Sequence, residues 1–230
     1  MTFSLVARCP QTRMFGMAIS SSSPAVAARC AHARAGVGAV ATQNITDPAL
    51  GPAVLDHMAR GLSAGQALAA VMAATPYADY RQVLAVDAMG RCAIHSGTHA
   101  LGKWGEAMAP DVAAGGNLLA DPGIPSVLVA AFQNAVGHLG DRLLAALQAG
   151  LAAGGEAGPV HSAGLLVVDR LSWPIVDLRC DWAKDDPIGT LAAAWAVYRP
   201  QIAAYIERAE NPGGAPSYGV PGDTSARRIP

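Results

Sequence analysis

Apolar and polar positions alternate from the start of the chain. In TFSLVAR, Thr2, Ser4 and Val6 fall on one side of an extended segment and Phe3, Leu5 and Ala7 on the other, which is the two-residue period of a β-strand. MFGMAISS repeats the pattern after the polar turn PQTR, so the opening of the chain predicts a β-hairpin. The period then changes. SPAVAARCAHARAG has a capping serine in Ser23, a proline suited to a first helical position in Pro24 and a terminating Gly36, and it predicts a helix. VGAVATQN reads as a buried strand that emerges into polar residues. GPAVLDHMARG and SAGQALAAVMAATP predict two helices parted at Gly61, with Ser63 and Gln66 at capping-box spacing. RQVLAVDAMGRCAIHSG returns to strands around a DAMG turn.

THALGKWGEAMAPDVAAGGNLLADPG is dominated by loop signals, with a short strand or strand-to-helix corner expected in VAAGGNLL. IPSVLVAAFQNAVGHLGDRLLAALQAG supplies one or two helices, with a break near Gly137 and Gly140. SAGLLVVD and PIVDLRCDW read as strands, and a last helical region starts at Asp186 and Pro187 and resets near Pro200. Hairpins set between helix pairs predict an α+β fold of antiparallel sheets covered by helices, not a doubly wound parallel sheet. One domain is expected over residues 1–210, followed by a Gly/Pro-rich tail or arm over 211–230.

Composition narrows the class. With 230 residues, 52% hydrophobic and 14% charged, the chain can bury a large core without disulfides or structural metal. A net charge of -1 and no basic block argue against nucleic acid, and the alanine-rich stretches are too interrupted for membrane spans. The four cysteines are scattered singly, as expected of reduced thiols in the cytoplasm, and no export signal is recognised at the start.

Thr2 raises a specific chemistry. If Met1 is trimmed, Thr2 carries a hydroxyl and a free α-amine, a nucleophile with its own base. The alternative is an ordinary strand threonine. Acyl transfer also needs oxyanion donors, which AAGGNLL offers through Gly116 and Asn117, unless that asparagine simply takes a left-handed turn. Ser4 shares the face of Thr2 and is placed to orient the amine. Thr42, Gln43 and Asn44 add orienting groups or plain caps. Arg81 and His95 are candidate substrate contacts with equally ordinary structural roles. Asp177 and Arg179 share one side of a strand, where they pair across the sheet or line a pocket. No metal constellation or nucleotide-binding spacing is present, so a cofactor-free site is expected.

In this order, MTFSLVARC, FGMAIS, GVGAVATQN, YRQVLAVDAMG, HSG, AAGGNLLA, HSAGLLVV and DLRCDW resemble the DUF1028 family, whose fold belongs with the N-terminal-nucleophile hydrolases. The resemblance implies a four-layer αββα sandwich, a Thr2 nucleophile after methionine removal, a cytoplasmic homodimer and hydrolysis of a small amide or related C–N bond. Departures from the family pattern are Gly115 where many relatives carry Gln, Cys9 in place of an aspartate, and Glu156 in place of a common Asp. The competing expectation is a non-catalytic ligand-binding or scaffolding protein with the same fold.

Overall fold

The computed structural model describes residues 1–220. Two compact units are present, Met1–Ala192 and Ala193–Pro230. Of the expected tail, the part beyond residue 220 lies outside the described residues.

The first unit is built on two antiparallel sheets. One contains β1 (Thr2–Arg8), β2 (Phe15–Ser21), β7 (Gly105–Ala109), β8 (Val112–Asn117), β9 (Ser162–Val168) and β10 (Val176–Cys180), in the spatial order β10-β9-β2-β1-β8-β7. The other contains β3 (Ala31–Arg34), β4 (Gly38–Asn44), β5 (Arg81–Asp87) and β6 (Cys92–Ser96), in sequential order. Their facing surfaces bury Val6, Met17, Ile19, Ala39, Ala41, Leu84 and Val86. Small residues in β4 and β8 let the sheets approach closely. On the outer face of the four-stranded sheet, α2 (Leu50–Ala59) and α3 (Ala64–Ala74) bury Val54, Leu55, Leu68 and Val71 against Val40, Val83 and Ala85. Helices α4 (Ile124–Asn134) and α5 (Leu139–Ala152) cover the six-stranded sheet, where Phe3 is fully buried and lies against Gly150 of α5. Helix pairs therefore flank two stacked antiparallel sheets. Among the described residues no helix is long and apolar enough to cross a membrane.

The second unit holds the end of α6 (Pro187–Tyr198), the 3₁₀ turn Arg199–Gln201 and α7 (Ile202–Glu210). Within it Tyr198 and Tyr205 stack at 5.5 Å, and the Arg208 guanidinium lies 3.9 Å over the ring of Tyr218.

Two elements differ from the sequence reading. The helix expected to run to Gly36 is only α1 (Val26–Cys30), and Ala31–Arg34 forms β3 instead. Alternation explains the switch: Ala31 and Ala33 face the core between the sheets, while Arg34 pairs with Asp56 of α2 at 2.8 Å. Pairing with β4 satisfies the backbone, so tertiary contacts override alanine's helix preference. The second is β7, read as loop. Its sequence GEAMA has little β propensity, and it forms an edge strand by pairing with β8.

Asp87, at the end of β5, ties the DAMG turn to α3. Its carboxylate accepts from the Ala64 amide at 3.0 Å, the Met89 amide at 2.9 Å, and the Arg91 amide and Nε at 3.1 and 2.8 Å. Burial alone raises its pKa, but these donors outweigh burial and hold it below the ordinary carboxylate range. A folded value below the unfolded one contributes stability at neutral pH that is lost as pH falls through the folded value. Asp87→Ala is expected to cost about 3 kcal/mol at pH 7 in urea unfolding. The deficit should shrink below about pH 4, as the wild-type carboxyl itself protonates.

Candidate functional site

The β1–β2 register, Phe3 with Ser20 through Arg8 with Phe15, continues to set Thr2 beside Ser21. Thr2 also pairs with Asn117 of β8, and Ser21 with Ser162 of β9. Ser162, Ser21, Thr2 and Asn117 thus form one polar row across four strands, all buried, with Thr2 6% exposed. At its centre, Thr2 Oγ1 and Ser21 Oγ both donate to the Met1 carbonyl oxygen, and the two hydroxyl oxygens are 3.3 Å apart. Ser23 Oγ lies 2.8 Å from Ser21 Oγ and accepts from Arg29 Nη2 at 3.2 Å. An acyl carbonyl and two hydroxyls therefore meet where β1 begins.

One row deeper, an amide relay joins the sheets. Ser4 Oγ donates to Gln43 Oε1 at 2.6 Å, and Gln43 Nε2 to Gln82 Oε1 at 2.7 Å. Asn117 Nδ2 reaches the same Gln82 oxygen at 3.5 Å, a long contact that binds the asparagine amide only loosely. Gln82 Nε2 donates onward to Ser96 Oγ at 3.0 Å, and Ser96 to Glu106 at 2.8 Å. Gly115 faces Ser4 across β1 and β8, and a Cβ there would stand 3.4 Å from Gln82 Nε2. The missing side chain lets β8 pass closely over the glutamine. Gly116 is a packing position, since a Cβ would lie 2.7 Å from Leu119.

Glu156 lies just beyond the row, on the amide of Ser22 and bridged to Leu119. It is 4% exposed, and both its oxygens accept from the Ser22 amide, at 3.2 and 3.1 Å, with the Ser22 hydroxyl as a further donor. Burial pushes its carboxyl up to about 7, against the pull of the terminal ammonium of Met1 and the Ser22 hydrogen bonds. Among the described residues no group of three or more His, Cys, Asp and Glu is placed to hold a metal ion.

Of the candidates from the sequence, Thr2, Ser4, Gln43 and Asn117 come together, while Gly116 pairs with Phe3 on the other face of the sheet. Strand alternation separates others. Gln43 faces the opposite sheet, so Thr42 and Asn44 face away: Thr42 donates to the Asp47 carbonyl at 3.2 Å and Asn44 to that of Tyr80 at 2.6 Å. Arg81 and His95 share that outer face. Arg81 donates to the Ile45 carbonyl, and His95 Nε2 lies 3.0 Å from the Ala78 carbonyl. Asp177 and Arg179 are exposed on β10, three strand spacings from β1, roughly 14 Å; Arg179 pairs there with Asp181 at 2.8 Å. Asn117 is extended as the last residue of β8, and the left-handed turn falls on Leu118, φ 52°.

Ser21 and Glu156 were not among the site residues expected from sequence, nor was Gln82 placed in a buried relay. The hairpin itself carried the signal for Ser21. Centring the turn on PQTR brings Thr2 opposite Ser21. Gln82 follows from alternation, since it shares a face with Leu84 and Val86. A surface hollow of about 530 Å³, lined in part by Arg34, Val168 and Trp173, lies by the far end of β9 from Ser162 and contains none of the row.

A family model described as a family of unknown function (DUF1028) matches residues 2–191. The crystal structure of protein SPO2555 from Silicibacter pomeroyi, assigned to the same family, is 29% identical with a TM-score of 0.79, covering 87% of this chain and 88% of that one. Anbu (ancestral beta-subunit) from Yersinia bercovieri matches at 10% identity and a TM-score of 0.39 over 88% of this chain and 97% of that one. An Anbu (Gly-1) mutant from Hyphomicrobium sp. strain MC1 matches at 11% identity and 0.39, over 89% and 97%. No curated protein matches the sequence.

The relay generates a stability prediction. Gln82→Leu keeps the side-chain volume but leaves Gln43 Nε2 and Asn117 Nδ2 without their shared acceptor and Ser96 without its donor. Urea unfolding should show a loss of about 3 kcal/mol. A loss near zero would mean that these groups are satisfied some other way.

Proposed function

The chain belongs to the DUF1028 family, a membership that assigns no reaction, and we propose that it hydrolyses a small amide or related C–N bond with Thr2 as nucleophile once Met1 has been removed. The meeting of the Thr2 hydroxyl, the Ser21 hydroxyl and an acyl carbonyl at the start of β1 carries this reading.

Removal of Met1 turns the Thr2 backbone nitrogen into an α-amine. Such an amine has an ordinary pKa of about 7.7 to 8.0, so a useful fraction is neutral near pH 7 and can take the hydroxyl proton. The Thr2 oxygen attacks the substrate carbonyl. The amine then passes the proton to the leaving nitrogen, and water hydrolyses the ester. Ser21 Oγ already donates to a carbonyl oxygen at this point and would serve the developing oxyanion in the same way. Asn117, in the same row and only loosely tied to Gln82, is the second donor. Ser4 and the glutamines behind it hold the strand that presents Thr2. The layer order, two antiparallel sheets between helix pairs with the nucleophile opening a central strand, supports an N-terminal-nucleophile hydrolase fold.

The test begins with mass spectrometry of the N-terminus, followed by an amide hydrolysis screen on protein that starts at Thr2. Thr2→Ala, equally processed, should lose all turnover, while Thr2→Ser should retain some. Asn117→Ala should lower kcat about 100-fold with a smaller change in KM. Undiminished turnover by folded, processed Thr2→Ala protein, or full activity with Met1 retained, would exclude the mechanism.

A further inference from the structure

Met1 is more than a residue to be removed. The Met1–Thr2 peptide is the N-linked isomer of the ester that Thr2 would form with an α-aminoacyl group: the same carbonyl and α-ammonium, joined to the nitrogen of Thr2 instead of its oxygen. Its surroundings therefore report on an acyl subsite. The carbonyl oxygen accepts from Thr2 Oγ1 and Ser21 Oγ. Continuing the β1–β2 register places Met1 beside Ser22, whose amide holds Glu156. On the other side, continuing the β1–β8 register places it beside Leu118, whose carbonyl accepts from Ala157 at 2.9 Å, and Leu119 bridges to Glu156. The segment 156–158 thus runs along Met1. A Cβ on Gly158 would stand 3.4 Å from Met1 Cε and 3.7 Å from its sulfur, so the glycine leaves the thioether its path.

Glu156 is the unexplained group here. A carboxylate offers about four acceptor positions, yet the hydrogen bonds to Glu156 all come from one residue, the amide and hydroxyl of Ser22, in a nearly closed environment. The charge that acts on it is the ammonium of Met1.

We propose that the site, if it works as the hydrolase described above, takes α-aminoacyl amides, whose free ammonium binds Glu156 while the scissile carbonyl meets Thr2 and Ser21 and an unbranched side chain passes Gly158. The Thr2 oxygen bonds to the carbonyl carbon and the C–N bond breaks, the hydroxyl proton travelling through the Thr2 amine to the departing nitrogen. Water then gives its hydroxyl to the carbonyl carbon and a proton to the Thr2 oxygen. Pairing Glu156 with the amine of Thr2 instead would favour the protonated amine and deprive the reaction of its base.

Binding and turnover test the two layers separately. In processed Thr2→Ala protein, calorimetry should show L-methioninamide binding about tenfold or more tighter than N-acetyl-L-methioninamide, and Glu156→Gln in that background should erase the difference. Equal binding, no saturable methioninamide binding, or a preference that survives Glu156→Gln overturns the ammonium subsite. Gly158→Val decides the matter if Glu156→Gln does not fold: it should weaken methioninamide about tenfold and spare L-alaninamide, and equal loss for both overturns the proposal. With Thr2 present, L-methionine 4-nitroanilide should be cleaved in preference to its N-acetyl form. Cleavage of the N-acetyl form equally well keeps the hydrolase and removes the subsite. Discriminating binding without Thr2-dependent nitroaniline release keeps the subsite and removes the hydrolase.

Discussion

The register between β1 and β2 governs everything at the polar end of this molecule. Side chains alternate with a period of two, so a slip of one residue would send Thr2 and Ser4 toward α5 and bring Phe3 and Leu5 between the sheets. The slip is blocked from both faces. Phe3 fills the space beside Gly150, while Val6, Met17 and Ile19 interlock with β4 and β5. The hydrophobic core thereby fixes where a threonine hydroxyl points.

Between the two sheets the interior changes character along its length. At one end it is packed with aliphatic side chains, and at the other Ser4, Gln43, Gln82 and Asn117 are buried. Burying amides costs free energy unless each finds a partner; here Gln43 and Gln82 pair within the four-stranded sheet, while Ser4 and Asn117 reach them from the six-stranded one. The relay is thus a crosslink as well as a lining. It makes the separation of the sheets near Thr2 a matter of hydrogen-bond length, which varies much less than an apolar contact distance.

Much of this was legible in the chain. The opening hairpin, the Ser63 and Gln66 capping box, and the break between α4 and α5 follow from period, cap and glycine rules, and the structure has all three. The short α1 and the strand β3 were not legible, because alanine-rich AHAR suits a helix until β4 offers a ladder. At the site, alternation within β1 correctly grouped Thr2 with Ser4. Applied to ATQN it would have separated Gln43 from Thr42 and Asn44, which were grouped only as neighbours in sequence. Glu156 could not be derived from local pattern at all. It reaches the site through a loop far along the chain, held there by pairing with Leu118 and Leu119 and by the Ser22 amide.

The near-complete burial of Thr2 has a consequence in time. Met1 itself is 37% exposed, but the bond that joins it to Thr2 lies under Ser21 and the strand pairing on either side. A trimming enzyme needs an extended terminus, which the emerging chain offers, whereas in the fold the Met1 carbonyl is held by the Thr2 and Ser21 hydroxyls. On the proposed function, maturation becomes a race between peptidase and folding. On that function a chain that keeps Met1 would lack the free amine of Thr2, so the specific activity of a preparation would record how it was synthesised as much as what its sequence encodes.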